Sequence, residues 1–219
     1  MKQLDLIRQT YKNHKAGPIN KVHRFAVLIP LIEREDGSIE ILFETRAVDL
    51  DAQPGEICFP GGAMEEGELP LQTALRETCE EIGVRPEDIR IIGQMDTLNN
   101  ANLQIDVFIG LLQNVTVDGD DMPAEGKTQR FSGLTLSGEE VEDVFTIPLS
   151  FFFENKPDTY YVNMEPHVPE DFPYCRIGQT EDYPWGRYRY NVLVYDWPGR
   201  YLWGMTAKIV ERFASLLQG

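Results

Sequence analysis

The chain has 219 residues, which fits one domain with extensions, and its net charge of −16 argues against broad nucleic-acid binding, which needs a basic surface. No apolar run reaches membrane-spanning length, and the N-terminus lacks the apolar core of a secretory signal. Three cysteines without metal-ligand spacing predict reduced thiols, so we expect a cytoplasmic protein that binds neither nucleic acid nor membrane.

An amphipathic helix is predicted at the start of the chain, over residues 1–15. Leu4, Ile7 and Tyr11 have the spacing that places side chains on one face of a helix. Gly17–Pro18 predicts the end of this helix, because both residues disfavour a helix interior. The helix is therefore expected to be a short N-terminal extension of the domain.

A β-hairpin is predicted next. The apolar run 26–32 predicts a buried strand, Asp36–Gly37 predicts the turn, and residues 39–44 predict the returning strand. Pro30 cannot donate a ladder hydrogen bond, so it predicts that the first strand lies at a sheet edge or contains a bulge. Residues 45–47 predict the loop that follows.

A helix with one acidic and one apolar side is predicted between Pro70 and Gly83. Proline suits the first helical position, where an N–H would have no helical partner, and glycine suits the left-handed residue that ends a helix. At about 100° per residue, Glu77, Glu80 and Glu81 fall on one side of the helix within a single turn. The other, core-facing side carries Leu71, Ala74, Leu75, Thr78 and Ile82.

The three glutamates permit two interpretations. Neighbouring carboxylates repel one another by about a few tenths of a kcal/mol per pair, and a divalent cation such as Mg²⁺, which binds carboxylates together with substrate phosphates, reverses this effect. The preceding glycines, Gly61 and Gly62, allow backbone carbonyls to approach the same ion. The alternative is a solvated acidic face, in which Arg76 and Glu80 form an ordinary ion pair four residues apart.

Glycines and charged residues around this helix follow one regular spacing, and their positions are Gly62, Glu68, Arg76, Glu77, Glu80, Glu81 and Gly83. The pattern resembles the signature box of the Nudix hydrolases, with Thr78 where an apolar residue is commoner. This resemblance implies an α+β fold, the Nudix fold, in which a mixed β-sheet lies between α-helices, formed by a single domain over residues 1–219. It also implies metal-dependent hydrolysis of a nucleoside diphosphate linked to another group.

The resemblance further implies a metal site and a brace beside it. The cofactor is expected to be Mg²⁺ or Mn²⁺, with the backbone carbonyl of Gly61 or Gly62 as one ligand. Arg76 belongs to the expected catalytic set and, together with Glu68, is expected to brace the glycine loop against the helix. The expected side-chain ligands are Glu77, Glu80 and Glu81.

The segment before the box resembles one subgroup of this family. Residues 42–47, Gly55 and residues 59–62 resemble an additional motif of the coenzyme A pyrophosphatases. Glu44 stands where threonine is usual in that motif, and Asp51 stands where a second arginine is usual. The resemblance implies that coenzyme A or a derivative is cleaved to 3′,5′-ADP and 4′-phosphopantetheine.

Arg46 and Gly61 are the substrate-binding residues that this motif implies, while a surface charge at the end of a strand is the alternative for Arg46. Two other functions stay open: a pyrophosphatase for ADP-ribose or nucleotide sugars, and a nucleotide sensor that binds without cleaving. In each case the partner is a nucleotide-type small molecule. The intact set of glutamates disfavours the sensor, since a protein that only binds could lose Glu80 without cost.

A further acidic residue follows the box at a distance. Residues 137–149 resemble a subgroup segment in which Glu140 aligns with a glutamate that supplies a metal ligand or a base. An acidic loop is the alternative interpretation of this segment. The general base therefore stays open among Glu81, Glu77, Glu140 and a metal-bound hydroxide.

The remaining elements are predicted from composition and alternation. Strands are predicted at 89–95, 105–112, 159–162 and 188–195, loops at 96–104 and 118–133, and a helix or buried loop at 149–153. Residues 165–186 are rich in proline and aromatic residues and predict an insertion that packs on itself, as a lid or as a contact in a homodimer. Residues 203–207 begin the last predicted helix, whose core face carries Ile209, Val210, Phe213, Leu216 and Leu217.

Overall fold

The computed structural model describes residues 3–17, 19–100, 102–118 and 129–219. Its helices are α1 (Gln3–Tyr11), α2 (Pro70–Ile82), α3 (Leu149–Glu154) and α4 (Gly204–Gln218), with 3-10 turns at Pro86–Asp88 and Tyr174–Ile177. Its strands are β1 (His23–Glu33), β2 (Ile39–Arg46), β3 (Ile57–Cys58), β4 (Gly61–Ala63), β5 (Ile89–Gln94), β6 (Leu98–Asn100), β7 (Leu103–Leu112), β8 (Thr116–Asp118), β9 (Arg130–Ser132), β10 (Val141–Pro148), β11 (Asp158–Met164), β12 (Tyr188–Trp197) and β13 (Arg200–Trp203). The predictions for residues 1, 2, 18, 101 and 119–128 lie outside the described residues.

The main sheet is mixed and has the strand order β10-β2-β1-β7-β5. Strands β1 and β7 are parallel, whereas β2 is antiparallel to both β1 and β10. The short strands β3, β4 and β6 pair with β2, β1 and β7. Helix α2 packs on one face of this sheet and helices α3 and α4 pack on the other. The predicted α+β fold, with a mixed sheet between helices, is therefore confirmed.

Alternation along the strands produces the two layers of core. Successive side chains of a strand point to opposite faces of the sheet. Leu28 of β1 belongs to the buried cluster that contains Ile82 of α2. Its neighbour Ile29 belongs to the other cluster, together with Phe43 of β2 and Phe213 of α4. Helix α2 therefore covers one face of the sheet, and its glutamates, which form the acidic box with Gly61–Glu68, lie on that side of the molecule.

Pro30 lies in a central strand, so its predicted position at a sheet edge is wrong. On one side of β1, residues 25–27 pair with β4 and residues 31–33 pair with β2. The N–H of Leu28 donates to Pro60 O at 2.9 Å on this side, and the nitrogen of Pro30 points the same way because it lies two residues further on. Proline is tolerated here because the partner strand changes at this point.

Short strands replace parts of the predicted loops. Residues 45–46 extend β2, β6 forms inside the 96–104 segment, and β9 forms at the end of the 118–133 segment. The end of β2 pairs with β10, β6 pairs with β7, and β9 pairs with β8. Local composition does not show which strand a short segment will pair with. The hairpin strand β13 is likewise absent from the prediction, so the last helix starts at Gly204.

The terminal helices form where predicted but differ in burial. Helix α1 ends at Tyr11, earlier than predicted, and has no buried residue. Helix α4 buries the first part of its predicted core face, but Leu216 and Leu217 are exposed because its buried face ends at Ala214. Within the described ranges, no helix has the length and apolar character needed to cross a membrane.

Residues 165–186 pack on themselves through aromatic side chains, as predicted. The ring of Phe172 lies 4.8 Å from that of Tyr174 and 5.2 Å from that of Trp185, centroid to centroid. Trp185 Nε1 donates a 3.1 Å hydrogen bond to the Tyr174 hydroxyl. This segment connects β11 and β12 of a separate sheet, of order β11-β12-β13. Its role as a lid or as a homodimer contact stays a prediction.

Candidate active site

The glycines that precede α2 form strand β4 directly against β1. Gly61 and Gly62 pair with Val27 and Ala26. Gly61 has a φ of 152°, and a methyl group on it would overlap the backbone oxygen of Ala26. Only glycine therefore permits this close approach, which places the start of the acidic box beside the central strand.

Glu81 reaches this glycine strand from helix α2. The backbone N–H of Gly61 donates a 2.8 Å hydrogen bond to Glu81 Oε2. The side chain is buried, and burial, followed by the negative charge of Glu44, raises the pKa of Glu81 to about 9. The sequence places Glu81 on the side of α2 away from the core, but the glycine strand covers it there. Its carboxylate is therefore fixed inside the protein rather than in solvent.

Glu77 ends beside the second glycine of the pair. A methyl group on Gly62 would overlap both carboxylate oxygens of Glu77. Arg76 Nη1 forms an ion pair with Glu77 Oε1 at 2.9 Å. Burial raises the pKa of Glu77, although Arg76 opposes the shift. Glu77 and Glu81 therefore lie at adjacent glycines of β4, and their role as metal ligands stays a prediction.

Arg76 of α2 links the glycine strand β4 to the loop between β4 and α2. Its Nε donates to Glu68 Oε1 at 3.0 Å, and its Nη2 donates to Glu68 Oε2 at 3.2 Å and to Ala63 O at 3.4 Å. Thr73 Oγ1 donates to the same carboxylate at 2.7 Å. These bonds, with those from Arg76 strongest, lower the pKa of Glu68 to about 2. They are the contacts that the predicted brace requires.

Glu80 differs from the other two predicted side-chain ligands in its exposure. Its side chain is 55% exposed, and its Oε2 pairs with Arg76 Nη1 at 3.0 Å. This is the ion pair of the alternative interpretation, and the same nitrogen also contacts Glu77. Arg76 therefore contacts both Glu77 and Glu80, but Glu80, unlike Glu77 and Glu81, is not among the residues that line the cavity described below.

Glu140 lies at the wall of the same cavity. It precedes β10, and its backbone oxygen accepts a 2.8 Å hydrogen bond from the N–H of Ala47. Glu140 lines the cavity described below, whereas its neighbours Glu139 and Glu142 are not among the lining residues. Of Glu139, Glu140 and Glu142, Glu140 is therefore the one that lines the cavity, and its role as a ligand or base stays a prediction.

A cavity of about 610 Å³ opens beside these carboxylates. Arg46 lines it together with Glu77, Glu81, Glu140 and both glycines, and among the described residues no lysine or other arginine does so. Of the asparagines in the 96–104 segment, Asn100 lines it. The lining residues that sequence reasoning missed include several from β12, β13 and α4, more distant in the chain, and these are Tyr190, Val192, Trp203, Gly204, Met205, Thr206 and Ile209.

The donor set fits a hard divalent cation such as Mg²⁺ or Mn²⁺. Carboxylates from α2 lie at the glycine pair, where a side chain on either glycine would clash, and burial disfavours the negative charge that a cation would balance. Glu44, on β2, adds a buried carboxylate oxygen without a hydrogen-bond partner. In the part of the chain that the structure describes, no group of three or more acidic, cysteine or histidine side chains is arranged so that it could hold a metal ion by itself.

Glu44 is the carboxylate that sequence reasoning missed. The sequence identifies it only as a departure from the subgroup motif, at a position where threonine is usual. The available signal was its position two residues after Leu42 on a strand, because alternation places both on one face. Leu42 packs against the α2 side of the sheet, so Glu44 faces the acidic helix.

Comparisons with known proteins show which family the chain resembles. The sequence matches the NUDIX domain family over residues 22–148. Nudix hydrolase 3 of Caenorhabditis elegans is 36% identical over 157 residues, which cover 66% of this chain and 60% of that protein. The peroxisomal coenzyme A diphosphatase NUDT7 of Mus musculus is 30% identical over 153 residues, which cover 68% of this chain and 56% of that protein. This chain therefore spans less than two thirds of the length of either relative.

Solved structures are also similar to this chain. A MutT/nudix family protein from Enterococcus faecalis has a TM-score of 0.49 and 13% identity, over 98% of this chain and 70% of that chain. The NUDIX domain of Shewanella oneidensis NrtR, in a complex with ADP ribose, has a TM-score of 0.44 and 17% identity, over 70% of this chain and 88% of that chain. Because the NUDIX match covers more than half of the chain and includes the whole acidic box, this chain belongs to the Nudix family.

Proposed function

We propose that this protein hydrolyses coenzyme A or a derivative to 3′,5′-ADP and 4′-phosphopantetheine, with Mg²⁺ or Mn²⁺ as cofactor. The observation that carries the proposal is the convergence of Glu77 and Glu81 on Gly61–Gly62, in the wall of a cavity that Arg46 also lines. The motif before the acidic helix, over residues 42–62, supports coenzyme A as the substrate. The 30% identical relative NUDT7, which is named a coenzyme A diphosphatase, supports it as well.

The residues of the cavity wall suit a diphosphate substrate. The negative charge on a diphosphate disfavours the approach of the lone pair of an attacking water to phosphorus. The site must therefore supply positive charge and hold the reacting groups in place. A bound divalent cation supplies charge neutralisation and lowers the pKa of water. Arg46 would pair with phosphate oxygens, and the Arg76–Glu68 brace would keep the glycine strand in place.

The proton of the attacking water must pass to a group at the cavity. Glu77, Glu81 and Glu140 each line it and are the candidates for this role. Glu140 is exposed, so a proton that it accepts can pass directly to solvent. Glu81 is buried and receives the Gly61 N–H, so it is better placed to hold its position than to exchange protons.

A product assay tests the proposal. Purified protein is incubated with Mg²⁺ or Mn²⁺ and separately with coenzyme A, acetyl coenzyme A, ADP-ribose, diadenosine polyphosphates or NADH, and the products are separated by chromatography. Preferential release of 3′,5′-ADP is the expected result. Cleavage of ADP-ribose alone would keep the hydrolase and discard coenzyme A as the substrate. A lack of cleavage with every substrate and both metals would favour a sensor that only binds.

Arg46→Ala should lower kcat/KM for coenzyme A by about 10- to 100-fold, and by less for ADP-ribose. Loss of a charge-assisted hydrogen bond to a phosphate costs about 1.5–3 kcal/mol, and coenzyme A carries one more phosphate group than ADP-ribose. Arg46→Lys, which keeps the charge but loses the planar guanidinium, is the matched control and should retain part of the activity. Equal losses on both substrates would remove Arg46 from the specificity argument.

Gly62→Ala should lower kcat/KM by about 10²-fold while the protein stays folded. The added methyl meets only the mobile end of Glu77, so the side chain can move away, but its carboxylate then leaves its position. Turnover of the substrate found in the product assay and the thermal unfolding midpoint are measured on the same preparation.

The matched control for this variant is Gly61→Ala. Its methyl would overlap the backbone at Ala26, and its φ of 152° disfavours any side chain, so this change should destabilise the fold itself. A fully active Gly62→Ala variant would show that the reaction does not depend on where the Glu77 carboxylate lies.

A further inference from the structure

Glu44 is a buried carboxylate in β2 that forms no ion pair with any residue the structure describes. Glu44 is 1% exposed to solvent. The thiol of Cys58 donates a 3.2 Å hydrogen bond to Glu44 Oε1, while Oε2 has no hydrogen-bond partner. A buried carboxylate that is ionised and unpaired costs several kcal/mol of folding free energy, so this oxygen needs an explanation.

Another glutamate of the same strand shows how the chain balances such a charge elsewhere. Glu40 is also 1% exposed and lies on the same face of β2, four residues earlier. Its carboxylate forms an ion pair with Arg34 Nε at 2.8 Å. Among the described residues, no arginine, lysine or histidine forms an ion pair with Glu44. Glu40 therefore has an arginine as its ion-pair partner, whereas Glu44 has no ion-pair partner among the described residues.

The surroundings of Glu44 are acidic. Burial raises the pKa of Glu44 to about 7, the Cys58 hydrogen bond and the positive charge of Arg46 oppose this shift, and the charges of Glu140 and Glu77 add to it. The charge of Glu44 in turn contributes to the raised pKa of Glu81. Carboxylates from β2, from α2 and from the loop before β10 therefore affect one another electrostatically, with Glu44 on the sheet side and Glu77 and Glu81 on the helix side.

We propose that Glu44 is an additional ligand of the divalent cation, which it approaches from the sheet with the oxygen that has no protein partner. This inference rests on the metal-dependent function proposed above. A carboxylate oxygen is the ligand type that Mg²⁺ and Mn²⁺ prefer, and a threonine at this position would carry no charge. Glu44 therefore distinguishes this chain from the usual subgroup motif and should give it tighter cation binding even without substrate.

The test measures binding of Mn²⁺ alone to the full chain by isothermal titration calorimetry, with no nucleotide present. Glu44→Gln, which keeps the size of the side chain and removes its charge, should raise the Mn²⁺ dissociation constant about tenfold or more. Glu44→Thr, with the residue usual in the subgroup, is a second neutral variant and should behave alike. Glu40→Gln is the matched control, equally buried on the same strand, and should leave the dissociation constant within about twofold.

A second readout separates ligation from folding. In EDTA, Glu44→Gln should unfold at the same temperature as the wild type or higher, because it removes an unbalanced buried carboxylate. The rise in unfolding temperature on adding Mn²⁺ should be smaller in this variant than in the wild type. Glu40→Gln should lower the unfolding temperature equally with and without Mn²⁺, because it breaks an ion pair that has no part in the cation site.

Equal Mn²⁺ affinity in the wild type and both Glu44 variants would overturn the inference and leave the proposed function intact. The same conclusion follows if the wild type binds no Mn²⁺ without nucleotide yet cleaves coenzyme A when the metal is added. Weakened Mn²⁺ binding in the Glu44 variants of a protein that cleaves none of the tested substrates would support the ligand and reject the proposed function.

Discussion

Replacing Glu81 with glutamine should lower kcat by about 10³-fold or more while the protein stays folded. Its carboxylate is fixed by the N–H of Gly61 in the cavity wall and is a predicted metal ligand as well as a candidate base. Losing one such group typically costs about 10²–10⁴ in rate. The measurement is steady-state release of 3′,5′-ADP from coenzyme A, or of the product found for another substrate.

A pH series in EDTA shows whether this variant changes only the chemistry. The pKa of Glu81 is about 9 in the folded protein and near its ordinary 4.5 in the unfolded chain, so the folded state holds a proton that the unfolded state has lost. The resulting stabilisation is fully present below about pH 4.5 and disappears as the pH rises through about 9. The wild-type unfolding temperature should therefore fall between about pH 5 and about pH 9.

The same series supplies the control for Glu81→Gln. Glutamine resembles the protonated acid and does not titrate, so the fall in unfolding temperature should be shallower in the variant, with the remainder due to Glu44 and Glu77. A steep, unchanged fall would show that Glu81 is not the buried titrating group. High turnover in a folded variant would remove Glu81 from both of its proposed roles.

The acidic helix and its ends were predictable because their signals are local. Pro70 and Gly83 bound α2 as predicted, and Gly83 has the left-handed φ of 70° that a helix end requires. The convergence of Glu77 and Glu81 on the glycine pair also follows from one continuous stretch of sequence. Local signals of this kind survive folding because they depend on backbone geometry within a few residues.

The rest of the cavity depends on contacts that no local pattern reports. Tyr190 and Trp203 line it from strands more than a hundred residues beyond the acidic box. Pro30 indicates an edge strand locally, yet the change of partner from β4 to β2 lets it lie in the centre of the sheet. Glu44 is a departure from a motif in sequence, and its burial opposite α2 becomes visible only in three dimensions.

Glu80→Gln should reduce turnover by about 10²-fold or more, close to abolishing it, with almost no effect on folding. The side chain is 55% exposed and its ion pair with Arg76 is an exposed one, which contributes about 0–1 kcal/mol to stability. A large loss of activity would therefore reflect the reaction and not the fold. The measurement combines steady-state kinetics with the urea midpoint of unfolding.

Glu87→Gln is the matched control for Glu80→Gln because it also removes an exposed acid from an exposed ion pair. Glu87 is 65% exposed and lies 3.6 Å from Arg85 Nη1, and like Glu80 it does not line the cavity, but it lies beyond the end of α2 and is not a predicted ligand. Its removal should leave turnover and the urea midpoint unchanged. If Glu80→Gln retained full activity like this control, Glu80 would be only the partner of Arg76 on a solvated helix face, and the metal ligands would have to come from Glu77, Glu81 and the sheet.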